Sequence, residues 1–189
     1  MQQPIIAKIG FAQLIQETQR FINQHWLKVI GLCLTAAFGR FVQERGMGRI
    51  SVEWFSVLEI LVELSRAVLV LFVVGHGSAR AGFRSIAAVF RMKKADWKQR
   101  WNQLKVNVSG NKIALSVNLV IFMIIGTVAN VSIDLLVQLG LLDWLKSVGF
   151  LAASASSWPV ILFLKNVSII PFTLIFEVVL VLWLVGKNK

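Results

Sequence analysis

Tyrosine is absent, cysteine occurs once, proline three times, histidine twice, and only nine residues are acidic. Each scarcity excludes something. A single thiol, Cys33, can form neither an internal disulfide nor a metal cluster. In its apolar run it reads as a small buried hydrophobe. There is no HExxH, CxxC, GxSxG, phosphate-binding loop or dinucleotide fingerprint. His25 lies in an amphipathic stretch. His76 and Ser78 share the turn Gly75-His76-Gly77-Ser78, but two neighbours in a glycine turn do not make a nucleophile–base pair. No enzyme chemistry, metal or cofactor is expected.

What is abundant points to a membrane. The 189 residues are 57% hydrophobic, and the mean hydropathy of +0.72 is too high for a soluble domain. Seven Trp and 13 Phe supply aromatic mass of the kind that gathers at membrane interfaces. Twenty Lys and Arg give a net charge of +11. In a soluble protein that would suggest nucleic acid. Beside apolar spans it suggests topology and anionic lipid first.

The pattern along the chain predicts an all-α integral membrane protein of one domain, 1–189. It has four transmembrane helices, an N-terminal interfacial helix and a basic amphipathic cytoplasmic helical loop. Within 1–25, Phe11, Leu14, Ile15, Thr18, Phe21 and Ile22 fall on one side of a helix, with Trp26 continuing that side. Gln13, Gln16, Glu17, Arg20, Asn23 and Gln24 fall on the other. Span one covers 26–43, with Lys28 and Arg40 able to snorkel from its ends. Span two covers 52–75, span three 113–139 and span four 158–185. Span four opens on Trp158-Pro159, and a kink is expected at Pro171.

Residues 76–112 hold nine Lys or Arg and one acid, Asp96. Phe83, Ile86, Phe90, Trp97, Trp101 and Leu104 fall within about 60° of arc on a helix. They are the expected membrane-interface anchors, with a break near 92–96. Arg80, Arg84, Arg91, Lys93, Lys94, Lys98, Arg100 and Lys105 form the opposite, partner- or lipid-binding face. Two readings are compatible: a helix resting on the anionic leaflet, and a docking surface for an acidic cytosolic protein. Direct nucleic-acid binding is disfavoured because the aromatics share one face.

Basic residues also orient the chain. Thirteen fall on the side holding both termini and 76–112, against three (Arg45, Arg49, Lys146) on the other. The positive-inside rule then places both termini in the cytoplasm, in a bacterial inner membrane crossed four times.

Six ionisable residues fall inside the spans: Glu59, Glu63, Arg66, Asp134, Lys165 and Glu177. Each costs about 3 kcal/mol near mid-membrane, so they should face the interior and pair. Depth suggests an outer cluster of Glu59, Asp134 and Lys165, with Arg66 and Glu177 deeper. Glu63 and Arg66 can pair as i, i+3. Asn118 and Asn130 are candidate interhelical hydrogen-bonding groups.

The expected role is a non-enzymatic anchor or sensor subunit that forms homo-oligomers and recruits a cytosolic partner through its basic loop. Two alternatives are an oligomeric pore lined by Glu59, Glu63, Asp134 and Glu177, and an immunity or assembly factor that binds another membrane protein. In span count and size the chain is similar to the small four-span partners of two-gene phage-defence systems such as Kiwa, and to the four-span immunity proteins of pore-forming bacteriocins. The first resemblance implies a defence setting with a soluble partner, the second a membrane-embedded target.

Overall fold

The computed structural model describes residues 10–151 and 154–186. Lys8, Lys187, Lys189, the first nine residues of the expected interfacial segment and the start of the small-residue run after Leu151 lie outside these. The described chain is all-helical, with no strand among the described residues. It runs α1 (Phe11–Gln24), α2 (Trp26–Gln43), α3 (Val52–Val74), α4 (Ala79–Phe90), α5 (Lys94–Leu136), α6 (Leu142–Ser147), α7 (Trp158–Val167) and α8 (Ile169–Leu184). A π-helical turn, Val137–Leu141, joins α5 to α6 and carries a kink at Gly140, where φ is 143°.

Three helical stretches are long and apolar enough to cross a membrane: Trp26–Gln43, Lys94–Ser147 and Trp158–Leu184. The expected second span, α3, has the length at 23 residues but carries Glu59, Glu63 and Arg66 in its middle.

Two of the four span outlines change. Span four is two helices, α7 and α8, and the break lies at Ser168 rather than at Pro171 itself. Pro171 has no N–H to give to the carbonyl four residues earlier, Val167, and its ring crowds that carbonyl. The disruption therefore appears a turn upstream. The Ser168 hydroxyl donates to Leu164 O at 2.6 Å, a second donor on a carbonyl that also accepts the Ser168 N–H.

Span three is not a separate helix that starts after a surface loop. Helix α5 begins at Lys94 and continues through Lys112 and Ile113 without interruption, 43 residues in all. No proline interrupts it, and the Asn111 side chain donates to Asn107 O at 3.0 Å, back-bonding one turn at the weak Ser109-Gly110-Asn111 stretch. The second half of the expected loop is thus the base of the span helix, and only α4 remains a separate loop helix.

The chain divides into two compact units. The first takes Met1–His25, Val70–Ile124 and Leu174–Lys189; the second takes Trp26–Leu69 and Ile125–Thr173.

In the first unit, α1 packs its apolar side on protein. Leu14 and Thr18 are fully buried, Phe11 meets the Phe176 ring at 5.9 Å, and Phe21 meets Phe72 at 5.6 Å. His25 sits against both Phe21 (4.9 Å) and Phe72 (5.1 Å). The expected lipid-facing stripe of this helix is in fact a packing face. Amphipathicity shows that a face is buried, not what buries it. Ser78 starts α4 by accepting a hydrogen bond from the Ala81 N–H at 3.3 Å. Gly82 then lies against the Leu71 carbonyl so closely that any Cβ there would overlap it.

In the second unit, Phe41, Val137, Leu151, Val160 and Ile161 form the buried core, and Phe163 packs edge-on against both Phe38 and Phe41.

Candidate functional site

The second unit holds a network of charged and amide side chains. On α2, Arg40 and Gln43 are i, i+3 and share a face. On α3, Phe55, Glu59 and Glu63 are spaced by four and share another. On α2, buried Gly39 faces Val62 and the Leu58 carbonyl of α3 and lets that helix come close. A Cβ on Gly39 would lie 2.5 Å from a Val62 methyl, so any larger residue at this crossing must displace that buried side chain.

That approach brings Arg40 onto two carboxylates. Its Nη1 donates to Glu59 Oε2 at 2.6 Å and its Nη2 to Glu59 Oε1 at 3.0 Å, a bidentate pair. Nη2 also donates to Glu63 Oε1 at 2.9 Å. Gln43 accepts from Arg40 at 3.1 Å, and its own amide donates to Glu59 and to the Phe55 carbonyl. Glu63 accepts in addition from Arg66 at 2.7 Å, and Arg66 donates onward to Asn166 Oδ1 on α7 at 2.8 Å. Asn166 is 1% exposed and ties its own amide to Leu162 O. Two guanidinium groups face two carboxylates, so the network is electrically neutral.

A second contact stands apart from it. Lys165 Nζ lies 2.9 Å from Asp134 Oδ1, close enough for ionic attraction but without hydrogen-bond geometry. Substituting Lys165 by Met leaves a carboxylate without its cation, so the variant should unfold at lower temperature in detergent. A loss of about 1–3 kcal/mol is the scale for one orphaned polar group. Lys165→Met combined with Asp134→Asn should recover most of that loss; a double variant weaker than the single would refute the pairing.

Several expected placements differ. Glu59 pairs with Arg40, not with Asp134 and Lys165. Arg40, expected to snorkel from the end of span one, is instead the centre of the network. Glu177 is exposed, and no ion pair reaches it among the described residues. Asn130 donates to Gly126 O of its own helix, and Asn118 Nδ2 is buried without a partner among the described residues. Among the described residues, the asparagines that link helices are Asn166 and Asn107, whose Nδ2 donates to Leu184 O at 2.8 Å.

The first unit carries the basic surface. Among its described residues are ten Lys or Arg against three acids, whereas the second unit has seven against six. Arg80, Arg84, Arg91, Lys93, Lys94, Lys98, Arg100 and Lys105 are all exposed, and no ion pair reaches any of them among the described residues. Lys105 lies 5.7 Å from the Trp101 ring centre, within cation–π range.

The aromatic stripe does not run unbroken. The chain leaves helix between Phe90 and Lys94, which resets the helical phase. Phe83 and Phe90 stay exposed on α4. Ile86, Trp97, Trp101 and Leu104 instead line a hollow bounded by α4, α5 and the C-terminal turns of α3 and α8.

Among the described residues no group of three His, Cys, Asp or Glu could hold a metal ion. No protein-family model, curated protein or solved structure matches the chain.

Proposed function

We propose that this chain is a non-enzymatic anchor or sensor subunit of a bacterial inner membrane that recruits an acidic soluble partner through its basic cytoplasmic surface. The observation that carries the reading is the segregation of charge: eight exposed, unpaired cations on one unit, against a nearly balanced second unit. Cations left without internal partners are available to an external one, and complementary charge speeds encounter and fixes register.

The reading takes α3 as a fourth span. Its three mid-helix charges are met by Arg40 and Asn166, which lowers the cost of carrying them into lipid. Both termini and residues 76–112 are then cytoplasmic by the positive-inside rule. The base of α5 continues its span, with Trp97, Trp101 and Leu104 beside the C-terminal turns of α3 and α8, so its basic turns sit at the cytoplasmic membrane surface. Apolar side chains crowd the outside of α5, among them Met123 and Val128, in keeping with contact to lipid or to another copy in an oligomer.

The paired charges weigh against a pore. A conducting path would need carboxylates free to bind and release ions, whereas Glu59 and Glu63 are committed to guanidinium groups.

The test is purification of the full chain from its native membrane beside a variant with Arg91, Lys93, Lys94, Lys98 and Arg100 all changed to Gln. The wild type should retain an acidic soluble protein, and the variant, at equal membrane level, should lose it by tenfold or more. A tenfold loss corresponds to about 1.4 kcal/mol of binding free energy shared among the five removed charges. Unchanged retention would sink the proposal. A reporter that works only outside the cytoplasm, fused after Lys189, should stay silent.

A further inference from the structure

The hollow in the first unit is about 260 Å³ and opens to the outside. Ile86 and Val89 of α4, and Trp97, Trp101 and Leu104 of α5, supply most of its wall; Leu182 of α8 closes one side. Its one charged group is Arg100, which lies between the two tryptophans on the same face of α5. Arg100 has no ionic partner among the described residues.

We propose that this hollow holds one acyl chain of an anionic membrane phospholipid, with the Arg100 guanidinium on its phosphate. The inference rests on the membrane reading above and deepens it. Three observations select this occupant. The wall offers almost no converging polar groups, which a ring-shaped metabolite needs for orientation and a hydrocarbon chain does not. The volume of about 260 Å³ lies below the range of pockets for drug-sized molecules and takes about the first ten carbons of a hydrocarbon chain. A docked amphipathic helix would need an extended groove with successive anchor positions. Trp97 and Trp101 are both half exposed, the posture of rings at headgroup level, and the surrounding surface is strongly basic. A guanidinium held there meets a phosphodiester by charge-assisted hydrogen bonds.

The site gives the basic surface a way to register lipid. An acyl chain lodged between α4 and α5 sets the spacing of the two helices that carry the exposed cations, so lipid occupancy and partner docking act on the same elements.

The experiment uses the full chain in nanodiscs of mixed phosphatidylglycerol and phosphatidylcholine, with retained lipid counted by native mass spectrometry. The wild type should keep one phosphatidylglycerol, with about tenfold preference over phosphatidylcholine. Arg100→Gln should keep a lipid but lose the preference. Val89→Trp, filling the hollow from α4, should lose the lipid altogether. Leu104→Trp fills it from α5 and serves if the first variant does not fold. Equal retention by wild type and both filled variants would overturn the site. So would a lipid-free wild-type dimer that the filled variants separate, in favour of a second copy as occupant. Flotation of the same samples with liposomes separates the two levels. A chain that does not float refutes the membrane reading, and a chain that floats but keeps no lipid refutes only the site.

Discussion

Arg40→Leu should destabilise the protein by about 2–3 kcal/mol, the upper part of the scale for leaving polar groups without their partner, since both carboxylates it holds are half exposed. The reason is the number of groups it leaves behind. Arg40 neutralises Glu59 through two hydrogen bonds, shares Glu63 with Arg66, and holds the Gln43 carbonyl oxygen. With Leu there, two carboxylates face one guanidinium across the helix pair, and α3 is left with a net negative charge in its middle. Thermal unfolding in detergent and the amount of chain in the membrane should both fall. The compensated variant is the sharper test. Arg40→Leu with Glu59→Leu removes one charge of each sign and leaves Glu63 with Arg66, so it should recover most of the loss. Arg66→Leu alone should cost less than Arg40→Leu, because Arg40 still covers both acids. If Arg40→Leu unfolds with the wild type, the network is not what joins α2 to α3.

Gly82→Val should be the most damaging change in the first unit. A Cβ at Gly82 would run into the Leu71 carbonyl, and backbone cannot step aside as a flexible side chain can. Gly75, just past the end of α3, is closed in the same way by the Ser78 carbonyl and the Gly82 N–H. The end of α3 and the start of α4 therefore touch backbone to backbone, and a branched side chain must push them apart. Overpacking costs about 1–3 kcal/mol where the surroundings can shift. Here the loss should reach or exceed the top of that range. It should also carry α4 and its cations away from their places, lowering retention of the acidic partner. Ala81→Val, one position along on the exposed side of the same helix, is the control and should change stability by less than about 0.5 kcal/mol. Equal stability of the two variants would show that the close crossing is not required.

The charged groups show where reading a sequence reaches its limit. Composition and span-length arguments single out six ionisable residues, and the balance between acids and bases suggests pairing; five of the six lie in ion pairs, Glu59 and Glu63 with an arginine the balance left out. Depth along a span, though, says nothing about direction around it. Glu177 has the right depth to sit inside, but Ile175, Phe176, Val179 and Leu182 take the inward positions of α8 and leave Glu177 exposed. Arg40 had the opposite fate. Its place near a helix end looked like snorkelling, and only the glycine-permitted approach of α3 turned it inward onto Glu59 and Glu63. A legible hint was present, since Gly39 is a small residue of the kind that lets helices pack closely.

What the sequence determined by itself is whatever depends on local composition. Long apolar runs without strand-forming alternation become helices. The exposed basic patch around Arg91 to Arg100 follows from charge density that no nearby acid can balance. The end of α3 and the start of α4 follow from Gly75, Gly77 and the Ser78 cap. What only the tertiary structure decided is the identity of partners. The apolar side of α1 meets Phe72 and Phe176 rather than lipid, the tryptophans of α5 face a hollow, and α5 carries its basic turns straight on into a span. The physical reason is common to all three. Hydrophobic burial is proportional to area and indifferent to the surface that supplies it. A sequence can therefore show that a face must be covered, while the choice among lipid, protein and an open hollow is made by the packing of residues far apart in the chain.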